Sequence, residues 1–164
     1  MLKLDFRVEL DDRKEQSPGY KCNHWELRGV PVRLEIGPRD IEEGKCILFR
    51  RDTFEKIIIS LDNIKEEVEK LLKDIQSNML KMAIDNREKH TYTAKTMEEI
   101  ENIFSQKQGF VKIMWCGDRE CEDKIKEKTT ATIRCIPENE EHISDECPVC
   151  KRKAKHMVYI ARQY

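Results

Sequence analysis

The sequence predicts an α/β (α+β) protein in which a mixed-sheet module is followed by a long linking helix and a small α+β module. Three observations carry this. Short stretches that alternate apolar with charged residues recur before position 61, an amphipathic period near 3.6 then runs from Asn63 to Glu88, and beyond Thr96 helix-like and strand-like segments alternate around two close cysteine pairs. At 164 residues there is room for one domain or two small ones, which excludes a complete multidomain ATP-using machine. Charged residues reach 38% and hydrophobic residues only 38%, so the core is modest and the surface heavily solvated. The regular apolar spacing nevertheless excludes a disordered chain.

The first module is read element by element. Phe6, Val8 and Leu10 alternate with Arg7 and Glu9, a half-buried strand pattern, and Asp11-Asp12-Arg13 opens a polar loop. Ser17-Pro18-Gly19-Tyr20 has turn chemistry. Val32, Leu34 and Ile36 alternate with Arg33 and Glu35, predicting a strand that Gly37-Pro38 ends. Cys46 to Arg51 and Lys56 to Ser60 predict a hairpin closed around Asp52-Thr53.

From Asp62 the spacing changes. Ile64, Val68, Leu71, Leu72, Ile75, Met79 and Met82 share one helical face with charges between them, and the Met79/Met82/Ile84 end reads as core. Thr96-Met97-Glu98-Glu99 fits a capping box that starts a second helix ending near Gln108-Gly109. Phe110 to Trp115 reads as a buried strand, Asp118 to Lys128 as a helix, Thr130 to Ile136 and His156 to Arg162 as strands, and Pro137 to Glu146 as a charged loop. The expected boundaries are 1–64, 65–90 and 91–164.

No window approaches the ~20 apolar residues of a membrane span, and Met1 to Leu10 lacks the uninterrupted apolar stretch of a signal peptide. The chain reads as cytoplasmic, and its seven cysteines as reduced or metal-bound. Cys116-x4-Cys121 and Cys147-x2-Cys150 are each short enough to put two sulfurs on one turn, as tetrahedral zinc requires. Such a site is closed and therefore structural. Buried reduced thiols are the other reading, and His142 or His156 could replace one ligand. Cys22, Cys46 and Cys135 read as packing residues, and His24 and His90 as solvent-facing or capping residues.

Thirty-one Lys+Arg against 32 Asp+Glu leave a net charge of -1, so there is no bulk basic field and any RNA contact must be local. Trp25, Glu26, Arg28, Arg33, Glu35 and Arg39 crowd a region rich in Gly and Pro. Arginine donates to guanine O6 and N7, and a carboxylate accepts from its N1-H and amine. Glu26, Arg33 and Arg39 suit that chemistry, while a solvated, salt-bridged strand face accounts for the same alternation.

Ser17-Pro18-Gly19-Tyr20-Lys21, the run Trp25 to Asp40 and Arg50-Arg51-Asp52 closely resemble the anticodon-binding domain of prolyl-tRNA synthetase. Phe110 to Cys121, Lys124-Ile125-Lys126, Arg134 to Pro137, Cys147 to Cys150 and Tyr164 resemble the zinc-binding C-terminal domain of that family's archaeal and eukaryotic-like branch. The resemblance implies that Glu26, Arg33 and Arg39 read the guanines of the proline anticodon, with Arg39 standing where some members have lysine. It further implies that Cys116, Cys121, Cys147 and Cys150 hold zinc, and that Tyr164 extends toward the catalytic domain to order its active site.

The implied partners are tRNA(Pro) and the catalytic domain of the same synthetase, the full enzyme being a homodimer. No ATP-binding constellation is recognisable in these residues, so ATP, magnesium and proline are expected to bind an upstream catalytic core together with the first strand and helix of the anticodon domain. Alone, the chain is expected to be inert. A free-standing zinc-containing interaction module without enzymatic activity is the second hypothesis.

Overall fold

The computed structural model describes residues 6–163. They divide between Met82 and Ala83 into two compact units.

In the first unit, helix α1 (Pro18–Leu27) leads to strand β1 (Val32–Glu35), the short helix α2 (Pro38–Glu42) and the hairpin β2 (Lys45–Arg50) and β3 (Lys56–Ser60). The three strands form an antiparallel sheet in the order β1-β2-β3. Helix α3 (Ile64–Lys89) follows, with the 26 residues that its apolar spacing predicts, a length of about 39 Å. Period-two alternation gives each strand two unlike faces. Val32, Leu34, Cys46, Leu48, Ile57 and Ile59 pack with Ile64, Val68, Leu71 and Ile75 of α3 in one core. The opposite face carries Arg33, Phe49 and Lys56, which the register places in one row across the three strands.

In the second unit, β4 (Thr91–Thr93), helix α4 (Met97–Gln106), β5 (Phe110–Trp115), helix α5 (Arg119–Thr129), β6 (Ala131–Cys135) and β7 (His156–Arg162) build a four-stranded sheet in the order β4-β5-β7-β6. Strand β4 is parallel to β5, and β7 is antiparallel to both its neighbours. The capping box at Thr96 is formed, with Thr96 and Glu99 each accepting the other's backbone N–H. Ile100 and Phe104 of α4, Ile125 of α5, and Val111, Ile113, Val158 and Ile160 of the sheet make the core.

Four expectations are corrected. Residues 6–10 form no strand: Val8 and Leu10 are 48% and 81% exposed, and alternation yields a strand only where a neighbour pairs with the backbone and a face is buried. Ser17-Pro18 is a helix start instead of a turn, since Ser17 accepts the Tyr20 N–H and Pro18 takes a first-turn position where its missing donor costs nothing. Cys135 is exposed at the end of β6, an edge strand whose pairing with β7 is irregular between Ile133 and Cys135. Met79 and Met82 are exposed, so the buried part of α3 stops at Ile75. Strand β4 is an addition to the expected elements: Thr91-Tyr92-Thr93 are strand-favouring residue types, but three residues directly after a long helix are too few to show a period.

Candidate anticodon interface and metal centre

Glu26 lies in the last turn of α1 and Arg33 in β1, and the chain turns between them at Arg28-Gly29, with Gly29 left-handed at φ 83°. Arg33 Nη1 donates to Glu26 Oε1 at 2.5 Å, and its Nε donates to Glu35 Oε1 at 3.0 Å. Arg33 Nη2 lies 2.9 Å from the same Glu35 oxygen, and the guanidinium carbon sits 4.1 Å from the centre of the Phe49 ring. Lys56 Nζ donates to Glu35 Oε2 at 2.9 Å. Two cations and two anions thus form one network that remains reachable, the Arg33 and Glu26 side chains being 20% and 29% exposed.

Burial works against the Arg33 charge, but its hydrogen bonds to Glu26 and Glu35 outweigh that and raise its pKa further. Burial likewise works against the Glu35 charge, and the hydrogen bonds from Lys56 and Arg33 bring its pKa below the ordinary carboxylate range. Arg39 is exposed on α2 and has no side-chain partner among the described residues. The structure therefore brings Glu26 and Arg33 together and leaves Arg39 outside their network.

Two supports fix the elements that carry these residues. Asp11 accepts the Trp25 indole N–H at 2.8 Å and both Nε and Nη2 of Arg13, tying the segment before α1 to that helix. Arg50 at the end of β2 donates to both Asp52 oxygens and to Asp74 on α3, while Asn78 donates to Asp52 at 2.7 Å.

The second group is the four cysteines. Cys116 follows β5, Cys121 occupies the first turns of α5, and Cys147 and Cys150 bracket a tight turn. Backbone bonds brace that turn: Lys151 N to Cys147 O, Cys147 N to Arg152 O, and Lys155 N to Trp115 O. Lys151 is left-handed at φ 59°. The four Sγ atoms all lie within 4.8 Å of one another, with Cys116 3.6 Å from both Cys121 and Cys150.

A tetrahedron with ~2.3 Å metal–sulfur bonds has sulfur–sulfur edges of ~3.8 Å, so these residues could hold a metal ion. Burial pushes the Cys116 and Cys121 thiols up. The backbone N–H of Arg152, with its guanidinium, brings the Cys150 thiol down to about 6. His142 and His156 are not in this cluster and instead face Asp145 and Glu140. Tyr164 lies outside the described residues.

No local motif singles out Phe49 and Lys56 in the sequence. Their signal was the alternation of β2 and β3, which needs the cross-strand register before it places them beside Arg33.

The family described as "Anticodon binding domain" matches residues 1–71, and the family described as "Prolyl-tRNA synthetase, C-terminal" matches residues 97–164. The chain is 53% identical over 163 residues to a protein named Proline--tRNA ligase from Alkaliphilus oremlandii, covering 99% of this chain and 34% of that protein. A Proline--tRNA ligase from Ruminiclostridium cellulolyticum is 50% identical with the same coverage. One from Lachnoclostridium phytofermentans is 50% identical over 97% of this chain and 33% of its own length. The chain thus spans about a third of the length of these relatives.

Proposed function

Because the chain consists of an anticodon-binding domain followed by the C-terminal domain of prolyl-tRNA synthetase, we propose that it is the tRNA(Pro)-reading and C-terminal structural portion of a proline-tRNA ligase. The observation that carries the reading is the Glu26–Arg33 pair on the solvent-reachable face of the β1-β2-β3 sheet. A guanine needs two acceptor partners and two donor partners met at once. Arg33 supplies N–H groups for O6 and N7 of a guanine, and Glu26 supplies a carboxylate for an N1–H and amine. Arg39, exposed and without a side-chain partner among the described residues, supplies a second planar fork for the neighbouring guanine, which a lysine could meet only as a point charge.

In this reading ATP, magnesium and proline bind the catalytic portion of the enzyme, which works as a homodimer in the cytoplasm. The Cys116/Cys121/Cys147/Cys150 site takes zinc, and the donor set supports this: four thiolates suit a soft ion and leave no position open for a reacting water. Bound there, zinc supplies no chemistry to acyl transfer and ties β5, α5 and the Cys147–Cys150 turn together. An enzyme with this C-terminal domain is of the archaeal and eukaryotic-like type. A free-standing interaction module is less favoured, because both halves of the chain match synthetase domains.

The test is a titration of the chain with a proline anticodon stem-loop against stem-loops that carry other anticodons. Preferential binding of the proline stem-loop is expected. Equal affinity for all of them contradicts the reading.

A further inference from the structure

The guanidinium of Arg33 has five N–H donors in a fixed plane. Nε donates to Glu35 and Nη1 to Glu26, and Nη2 lies within reach of Glu35. That leaves two N–H bonds uncommitted among the described residues. The Phe49 ring 4.1 Å away fixes the plane, and the second oxygen of Glu35 is held by Lys56.

We propose that Glu35 is a positioning residue for anticodon recognition: braced by Lys56, it locks the Arg33 guanidinium over Phe49 so that the two uncommitted N–H bonds are presented to a guanine. This rests on the reading of Glu26 and Arg33 as base-contacting residues. Two arguments support it. Arg33, Lys56, Glu26 and Glu35 sum to zero charge, so the network has little attraction for phosphate and its worth lies in direction. In addition, a long side chain that is already immobilised loses less freedom when the base arrives, and a fixed donor edge cannot swing to suit an adenine, which offers N7 but a donor where guanine has O6.

The surroundings match that role. Glu35 sits at the end of β1, beside the Gly37-Pro38 start of α2, and its side chain is 30% exposed. It can touch solvent yet spends both oxygens on cations. Like any glutamate it is ionised at neutral pH, and the hydrogen bonds from Lys56 and Arg33 hold its pKa below the ordinary carboxylate range.

The experiment measures the ratio of affinities of the full chain for a proline anticodon stem-loop and for the same stem-loop with adenines replacing the guanines. Glu35→Gln keeps shape and removes charge. It is expected to lower the ratio by about fivefold or more while the chain stays folded, as read by circular dichroism. In an Arg33→Ala background the same substitution is expected to have no further effect, because Glu35 acts only through Arg33. Lys56→Met, on a side chain 56% exposed, gives a second variant that loosens Glu35 without touching the fold; a smaller loss of the ratio is expected.

A ratio unchanged by Glu35→Gln, or a further loss in the Arg33→Ala background, overturns the inference while a discriminating wild type keeps the underlying reading intact. A wild type that does not discriminate overturns that reading itself.

Discussion

Arg50 and Asp52, two residues apart where β2 ends, form a two-point ion pair at 2.8 and 2.6 Å whose side chains are only 10% and 3% exposed. Asn78 of α3 donates to the same Asp52 oxygen. The hairpin that carries Phe49 and Lys56 is therefore anchored to the long helix through a desolvated charge. The second Arg50 partner, Asp74, is 60% exposed and contributes little. Asp52→Asn leaves a buried guanidinium without its main anion and is expected to destabilise the first unit by about 3–5 kcal/mol, read from urea unfolding at neutral pH.

The same pair sets an acid limit. The hydrogen bond from Arg50 is the largest influence on Asp52, and its pKa falls to about 2 against an ordinary value near 3.9. A carboxylate depressed in the folded state contributes stability that is complete above the unfolded value. That stability is lost as pH falls through the folded one. Wild-type stability should therefore drop between about pH 4 and pH 2, and Asp52→Asn should flatten that part of the profile.

Gly109 precedes β5 at φ 132°, and a Cβ there would lie 2.1 Å from the backbone oxygen of His90, which accepts the Phe110 N–H at 2.8 Å. Neither group can move without breaking the start of the β4–β5 pairing. Gly109→Ala is expected to cost more than about 2 kcal/mol, measured by thermal unfolding, whereas Gly19→Ala, which meets nothing within 4 Å, is expected to be near neutral.

For the metal centre the expected stoichiometry is about one zinc per chain by elemental analysis. Chelation or Cys147→Ser should loosen the second unit by several kcal/mol, because metal affinity is folding free energy. Metal-free protein with four freely titrating thiols and unaltered thermal stability contradicts this.

What was legible in the sequence follows from how local each signal is. Helix α3 was legible because Ile64, Val68, Leu71 and Ile75 repeat within one element, and strands β1, β3, β5 and β7 because alternation or apolar runs are bounded by turns. The four cysteines were legible from spacing alone. Alternation at 6–10 misled because pairing depends on a neighbour, and Met79 and Met82 misled because periodicity does not say where a helix leaves its core. Glu26 and Arg33 could be named by motif, but the role of Glu35, with Phe49 and Lys56, emerges only from the β1-β2-β3 register.

In the proposed reading Arg33 reads a base and does not grip a phosphate. Its most direct test is the affinity of wild type and Arg33→Ala for the proline anticodon stem-loop and for the stem-loop with adenines in place of guanines. Wild type is expected to prefer the guanine RNA by about 5- to 150-fold, equivalent to ~1–3 kcal/mol, and Arg33→Ala to lose most of this preference while binding the adenine RNA nearly as before. Equal losses on both RNAs would contradict it.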